Sequence, residues 1–233
     1  MMKRLTALFL MIVLLCGCIP AQAATKFKAT DPTQARLDAL ALLETCALGS
    51  EYGGGRDFVL RWEEPLYIYV GGKPTKADRT ALNDLLLDIA LRVPEAPPMF
   101  ITTNQAEANV TIWYVKLKEL PTYIANYTEG NWGYFTYWYQ NNAINELQIG
   151  IATDVTNQKE RNHLIQEEFI GGLGLANDHY AYSDSILYQP WTTVQQPSEV
   201  DWMMLNMLYS RRIRSGDNWS TVYNALYNHI TGR

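Results

Sequence analysis

Residues 163–188 read HLIQEEFIGGLGLANDHYAYSDSILY, and the start of this stretch has the pattern of a buried helix. Two adjacent glutamates, Glu167 and Glu168, lie late in an otherwise largely apolar segment. The sequence GGLG from Gly171 onward predicts that the helix ends there. The stretch therefore predicts two carboxylates at the end of a packed helix, just before a sharp turn.

This pattern is similar to the zinc motif of metzincin peptidases, HExxHxxGxxH or a version ending in Asp. In that motif two ligands four residues apart share a helix face, and the glutamate after the first histidine is the general base. Alignment of Glu168 with the general base puts Glu167 and Gly171 at the first two ligand positions. The third ligand position falls on Asn177 or Asp178.

Two later segments extend the resemblance to metzincins. Residues 185–188 (SILY) resemble the Met-turn, with Leu187 in the methionine position and Tyr188 after it, and DWMMLNMLY at 201–209 resembles the following helix. EEFIGGLGLAND with the later DSI and LY also resembles a proteobacterial family of predicted lipoproteins of unknown function. For residues 31–233 the resemblance implies a metzincin-like (zincin-like) α+β domain. It would have a mixed sheet and two helices in its N-terminal lobe, and a small helical or irregular C-terminal lobe.

The candidate metal ligands depart from the metzincin set. Only Glu167 and Asp178 remain from the motif, whereas catalytic zinc usually has three protein ligands, mostly His or Cys. His163 shares the helix face of Glu167 four residues earlier, and His179 adjoins Asp178. We therefore take these four side chains as the candidate ligands of zinc or a harder cation.

Two metal-free interpretations of the carboxylates stay open. In one, the acidic pair and Asp178 hydrogen-bond the backbone of the glycine-rich turn and fix it. In the other, Glu168 is a general acid or base of a hydrolase. Adjacent helical residues do not face each other across a bond to be cut, so a glycosidase would need Asp178 or Asp184 as its second carboxylate.

Residues 113–139 are crowded with aromatic side chains, which form either core packing or a platform for sugars and peptides. The alternation at Phe135 and Tyr137 predicts a strand. An edge strand beside the glutamate helix would occupy the place where metzincins bind extended peptide by strand addition. We therefore expect a peptide, protein or glycan ligand, with Trp132 and Trp138 as positions to test.

The N-terminus predicts export. Lys3 and Arg4 precede LTALFLMIVLL, a run with the length of a signal-peptide apolar region and too short to span a bilayer. The following LCGC resembles a bacterial lipobox, which predicts a signal peptide over residues 1–18 and a lipid on Cys18. The competing cleavage site follows Ala23.

These signals predict a periplasmic domain anchored to a membrane. Ile19 follows the cysteine in place of an aspartate, which favours sorting to the outer membrane, and residues 19–30 would form a tether. Cleavage after Ala23 would instead give a soluble periplasmic or secreted protein. Cys46 would then be a single buried thiol with no internal disulfide partner.

The composition fits a folded domain and argues against nucleic acid as a partner. The chain is 48% hydrophobic, which excludes a disordered polymer. Its net charge is −5, and removal of Lys3 and Arg4 makes it about −7.

Cap residues and periodicity predict the following elements: helices at 31–49, 75–93, 159–172, 199–212 and 218–231, and strands at 58–70, 99–103, 108–115 and 147–153. Residues 116–146 remain unassigned.

Overall fold

The computed structural model describes residues 25–28, 30–49 and 55–233. Both predicted cleavage sites and Cys18 lie outside this part of the chain. Within it, no helix combines the length and the apolar character that crossing a membrane requires.

Six strands form one sheet in which parallel pairing predominates. They are β1 (Arg61–Trp62), β2 (Leu66–Gly72), β3 (Met99–Thr102), β4 (Val110–Val115), β5 (Gly133–Gln140) and β6 (Ala143–Ala152). The order is β1-β6-β4-β2-β3 with each neighbour parallel, and β5 is antiparallel to β6. Asn141 and Asn142 join β5 to β6 with positive φ at both residues, as a tight hairpin turn requires.

The described residues contain six α-helices. They are α1 (Pro32–Leu48), α2 (Lys76–Arg92), α3 (Leu120–Tyr123), α4 (Gln158–Gly172), α5 (Glu199–Leu208) and α6 (Trp219–Thr231). The predicted caps are confirmed: Asp31 accepts from the Gln34 amide at 2.7 Å, and Thr75 and Asp78 form a capping box at the start of α2. The fold is mixed α/β, so the predicted combination of helices with a mixed sheet is confirmed.

Element bounds differ from prediction where local sequence is ambiguous. The segment predicted as strand-rich at 58–70, with a bulge or an edge at Pro65, contains two strands separated by residues 63–65; proline lacks the amide that a ladder needs. The helix predicted at 199–212 ends at Leu208. The unassigned residues 116–146 contain α3, β5 and the start of β6.

The core lies between the sheet and the long helices. Helix α4 packs against α2, β5 and β6, while α1 packs against α5 and α6. A buried ion pair of 2.9 Å joins Arg161 on α4 to Asp78 on α2, which fixes the start of α4 over the sheet. Cys46 lies in this core, and burial raises the pKa of its thiol, as expected for an inert cysteine.

The end of the predicted tether packs against the domain. The Ser183 amide donates to the Thr25 carbonyl at 3.0 Å, and the Phe27 amide donates to the Asp184 carboxylate at 2.9 Å. The rings of Phe27 and Tyr182 meet edge to face with centroids 5.0 Å apart. Residues 25–28 are thus held by the loop that follows α4.

Candidate functional site

A cavity of about 700 Å³ lies between β5, α4 and the loop after α4, and we call it the cleft. One wall is the strand from Gly133 to Tyr137 with the residues before it, and the opposite wall is residues 187–192. Helix α4 contributes residues from its middle and its C-terminal end, between His163 and Gly171. The residues predicted as functional that line the cleft are His163, Glu167, Glu168, Asp178, Leu187, Tyr188 and Trp132.

Helix α4 directs its functional side chains by simple helical spacing. Its start is capped by Asn157 and anchored by Arg161, and its apolar face is buried through Phe169 and Ile170. Positions 163, 167 and 171 then lie on one face because they are four residues apart. That face borders the cleft.

The second motif position is filled by a neighbouring ring. A Cβ on Gly171 would lie 2.6 Å from Cε1 of Phe135 on β5, closer than side chains pack. The aromatic ring therefore occupies the space where a side chain at residue 171 would project. Glycine at position 171 allows α4 to pack closely against β5, and no gap is left in the place of a side chain.

Glu168 lies against the edge strand. A Cβ on Gly133 would collide with its carboxylate, so the glycine is what lets that carboxylate reach the backbone of β5. The glycine-rich turn after α4 is held differently. The indole of Trp62 donates to the Gly172 carbonyl at 3.0 Å, and the Tyr209 hydroxyl donates to the Leu173 carbonyl at 2.9 Å.

His163 is fixed from behind and faces Glu167. Its Nδ1 lies 2.9 Å from the Val194 carbonyl, which can only accept, so Nδ1 carries a proton and Nε2 is directed to the Glu167 carboxylate at 3.4 Å. Burial lowers the pKa of His163, although the Val194 hydrogen bond opposes the shift. The ring also meets Trp191 edge to face, with centroids 5.8 Å apart.

His179 lies beneath the cleft, outside its lining, and both of its ring nitrogens are used. Nδ1 accepts from the Ala181 amide at 3.1 Å, so Nε2 carries the proton and donates to the Ser185 hydroxyl at 3.0 Å. Burial lowers the pKa of His179 to about 4. The ring therefore stays neutral and holds the loop, and neither nitrogen is directed into the cleft.

Asp201 completes this buried network, which we call the loop clamp (His179, Ser185, Asp201). Its carboxylate accepts from the Ser185 hydroxyl at 2.6 Å and from the Ile186 amide at 3.0 Å. The amide and hydroxyl of Ser198 donate to it at 2.7 and 2.8 Å. The clamp positions the segment of Leu187 and Tyr188 under the cleft.

The four candidate ligands do not form a metal centre among themselves. Within the described ranges no group of three or more His, Cys, Asp or Glu side chains is close enough to hold a metal ion. His163 and Glu167 come together, and Asp178 lines the same cavity. His163 and Glu167 alone are fewer than the three protein ligands that catalytic zinc normally takes.

Two functional candidates escaped sequence analysis. Trp191 is 55% exposed in the loop after α4, and its ring meets Trp132 edge to face with centroids 5.5 Å apart. A large exposed indole in a polar loop was the available signal. Asp201 was placed only on a helix, although its spacing from Ser198 marks a cap. Trp138 is on β5 but does not line the cleft.

The chain belongs to a family described as "Protein of unknown function (DUF2927)", whose model matches residues 41–228. The matched range includes β5, α4 and the loop clamp, so the cleft is part of the family domain. No curated protein sequence matches the chain. The family description names no activity and gives no support to a metzincin relationship.

Proposed function

We propose that the cleft binds an extended peptide or glycan strand without cutting it. The observation that carries this proposal is the course of β5 along a cavity of about 700 Å³. Strand β5 pairs with β6 on one side, and no described strand pairs with its other side. An unpaired strand edge beside a cavity is a standard surface for adding an extended segment.

The hydrogen-bonding pattern indicates which backbone groups are available. The Ala152 amide donates to the Trp132 carbonyl at 2.7 Å, so Trp132 and Ala152 are a hydrogen-bonded pair. Pairs alternate along an antiparallel ladder, which puts the backbone groups of Gly133, Phe135 and Tyr137 on the outer edge. Those three residues also line the cleft. A ligand in extended conformation can therefore pair with them.

The proposal includes a metzincin-like origin with a degenerate catalytic site. An antiparallel edge strand beside the glutamate helix agrees with the arrangement implied by the resemblance. The Phe135 ring against Gly171 and the commitment of His179 to Ser185 support loss of the metal. Binding would then be the retained activity of the old cleft.

The test uses two tryptophans on or beside the same strand. Trp132→Ala removes one aromatic side chain from the lining of the cleft. Trp138→Ala is the matched control because Trp138 lies outside the cleft. Arrays of random peptides and of bacterial glycans should give ligands whose binding Trp132→Ala weakens about tenfold or more, as for a lost aromatic contact. Equal effects of the two variants would contradict the proposal.

The second candidate is a metal-dependent peptidase or hydrolase that uses Glu168 as general base. The contact of its carboxylate with β5 favours it, because a strand bound there would bring a backbone carbonyl near Glu168. Elemental analysis of purified protein and a general peptidase assay with Glu168→Gln decide the matter. Bound zinc with activity that Glu168→Gln abolishes would replace the binding proposal with this one.

We also propose that the chain is an envelope lipoprotein, lipidated at Cys18 and held at the outer membrane. The lipobox-like LCGC supports this, and the packing of residues 25–28 would keep the domain close to its anchor. Mass spectrometry of protein from membranes should give a diacylated N-terminus at Cys18. A mature N-terminus at Ala24 would contradict it.

A further inference from the structure

We infer that the ligand of the cleft is a basic peptide, with Lys or Arg side chains recognised by carboxylates and indole rings. The inference rests on the proposed binding function and adds the chemical class of the ligand. It is carried by three features of the cleft: the charge of its lining, the position of its tryptophans and the main-chain edge of β5.

The lining is acidic. Three carboxyl groups, those of Glu167, Glu168 and Asp178, line the cavity, and none of the described lining residues is Lys or Arg. His163 also lines the cavity beside Glu167, and burial lowers its pKa. The guanidinium of Arg56 hydrogen-bonds the hydroxyl of Tyr137, a lining residue, and Arg56 itself is not part of the lining. Such a lining attracts cations and disfavours acidic ligands.

Two indoles lie beside the carboxylates. Trp191 is 55% and Trp132 37% exposed, so both offer ring surface to a ligand. Trp191 contacts the His163 ring, and His163 in turn faces Glu167. A guanidinium or ammonium group bound at Glu167 would therefore lie near the Trp191 indole. Carboxylate and indole together form a standard subsite for a Lys or Arg side chain.

The strand edge favours a peptide over a sugar polymer. A peptide strand added to β5 pairs with the outward backbone groups of Gly133, Phe135 and Tyr137, which a glycan cannot do in register. Side chains then alternate along the ligand, and those on the helix side meet Glu168 where Gly133 lacks a side chain. Charge and register thus select the same ligand: an extended basic peptide.

The test is selection from a phage-displayed library of linear peptides of about twelve residues, long enough to cover the eight residues of β5. We expect the selected pool to be enriched in Lys and Arg over the input. The affinity of its consensus peptide, measured by fluorescence anisotropy, should fall about tenfold with Glu167→Gln plus Glu168→Gln and also at high salt. Glu64→Gln, an exposed glutamate outside the cleft, is the control and should change neither.

Each alternative outcome has a distinct meaning. A pool of neutral or acidic peptides whose binding still requires Trp132 overturns the charge inference and leaves the binding proposal intact. Tighter binding of chitosan or chitin hexamers than of any selected peptide overturns the choice of peptide. No enriched peptide and no glycan binding overturns this inference and the proposed function together.

Discussion

Carboxylates beneath the cleft and carboxylates on its walls are used in opposite ways. Asp201 is fully buried and accepts hydrogen bonds from four protein donors. Glu167, Glu168 and Asp178 face a cavity large enough for a ligand. A buried carboxylate surrounded by donors stabilises the fold, whereas a carboxylate that lines a cavity can also contact a ligand. The two groups should therefore respond differently to the same kind of substitution.

The largest effect on stability is expected from Asp201→Ala. The change leaves buried donors of Ser185, Ile186 and Ser198 without an acceptor, which should lower the free energy of unfolding by about 3–5 kcal/mol. Urea denaturation measures it. Asp31→Ala, an exposed helix cap, is the control and should cost about 1 kcal/mol. Equal losses in the two variants would show that the buried carboxylate of Asp201 stabilises the fold no more than an exposed helix cap does.

Acid should weaken the loop clamp next. The pKa of His179 is lowered to about 4 in the folded state from an ordinary value of 6.5, so the unfolded chain takes up the proton first. The contribution of His179 is complete above pH 6.5 and is lost as the pH falls toward 4, on the order of 3 kcal/mol. The lowered pKa of His163 adds to this slope, and the raised pKa of Asp201 opposes it.

Urea denaturation between pH 7 and pH 4 checks the sign and source of this slope. His179→Gln should flatten the dependence on pH, because it removes the group that titrates. His229→Gln changes an exposed histidine on α6 and should leave the slope as it is. If the free energy of unfolding of His179→Gln depends on pH as strongly as that of the wild type, other groups cause the dependence.

A smaller loss is expected from Gly171→Ala. Alanine favours a helix over glycine by about 1 kcal/mol, but its Cβ would lie 2.6 Å from the Phe135 ring and force it to move. We expect a net loss of about 1–2 kcal/mol in unfolding free energy. The double variant Gly171→Ala plus Phe135→Leu should recover part of it in a double-mutant cycle. Strictly additive losses would contradict direct packing between the two residues.

The smallest effect on stability is expected on the cleft wall. Glu167→Gln and Glu168→Gln keep the shape of each side chain and should each lower the free energy of unfolding by no more than about 1 kcal/mol, the net contribution of a typical hydrogen bond. The same variants should weaken binding of a basic peptide. Thermal and urea denaturation beside the anisotropy titration measures both properties on the same samples. A large loss of stability would show that these carboxylates stabilise the fold as Asp201 does.

Sequence reasoning located α4 and its carboxylates because helical periodicity and capping are local. Asp31 and Thr75 were identified as caps for the same reason, since each acts within three residues of itself. At 116–146 the alternation of Phe135 and Tyr137 predicted a strand, which β5 confirms, but the bounds of β5, helix α3 and the start of β6 were not assigned. Strand β5 becomes a strand by pairing with β6, and that pairing could not be read from a short window.

The candidate site was predictable in its residues and only partly in their arrangement. The i,i+4 spacing of His163 and Glu167 implied a shared helix face, and Nε2 of His163 lies 3.4 Å from Oε2 of Glu167. His179 was grouped with Asp178 because the two are adjacent in sequence. The fold turns the His179 ring to Ser185 instead, since a buried imidazole takes the nearest partners for both nitrogens.

The sequence by itself determined the helices, their caps and the two glutamates at the end of α4. These follow from interactions between residues only a few positions apart, which the order of amino acids specifies directly. Only the tertiary structure decided that Phe135 fills the space beside Gly171, that Asp201 holds the loop, and that β5 presents an open edge to the cleft. Those features join residues distant in the chain, and tertiary packing and hydrogen bonding select them.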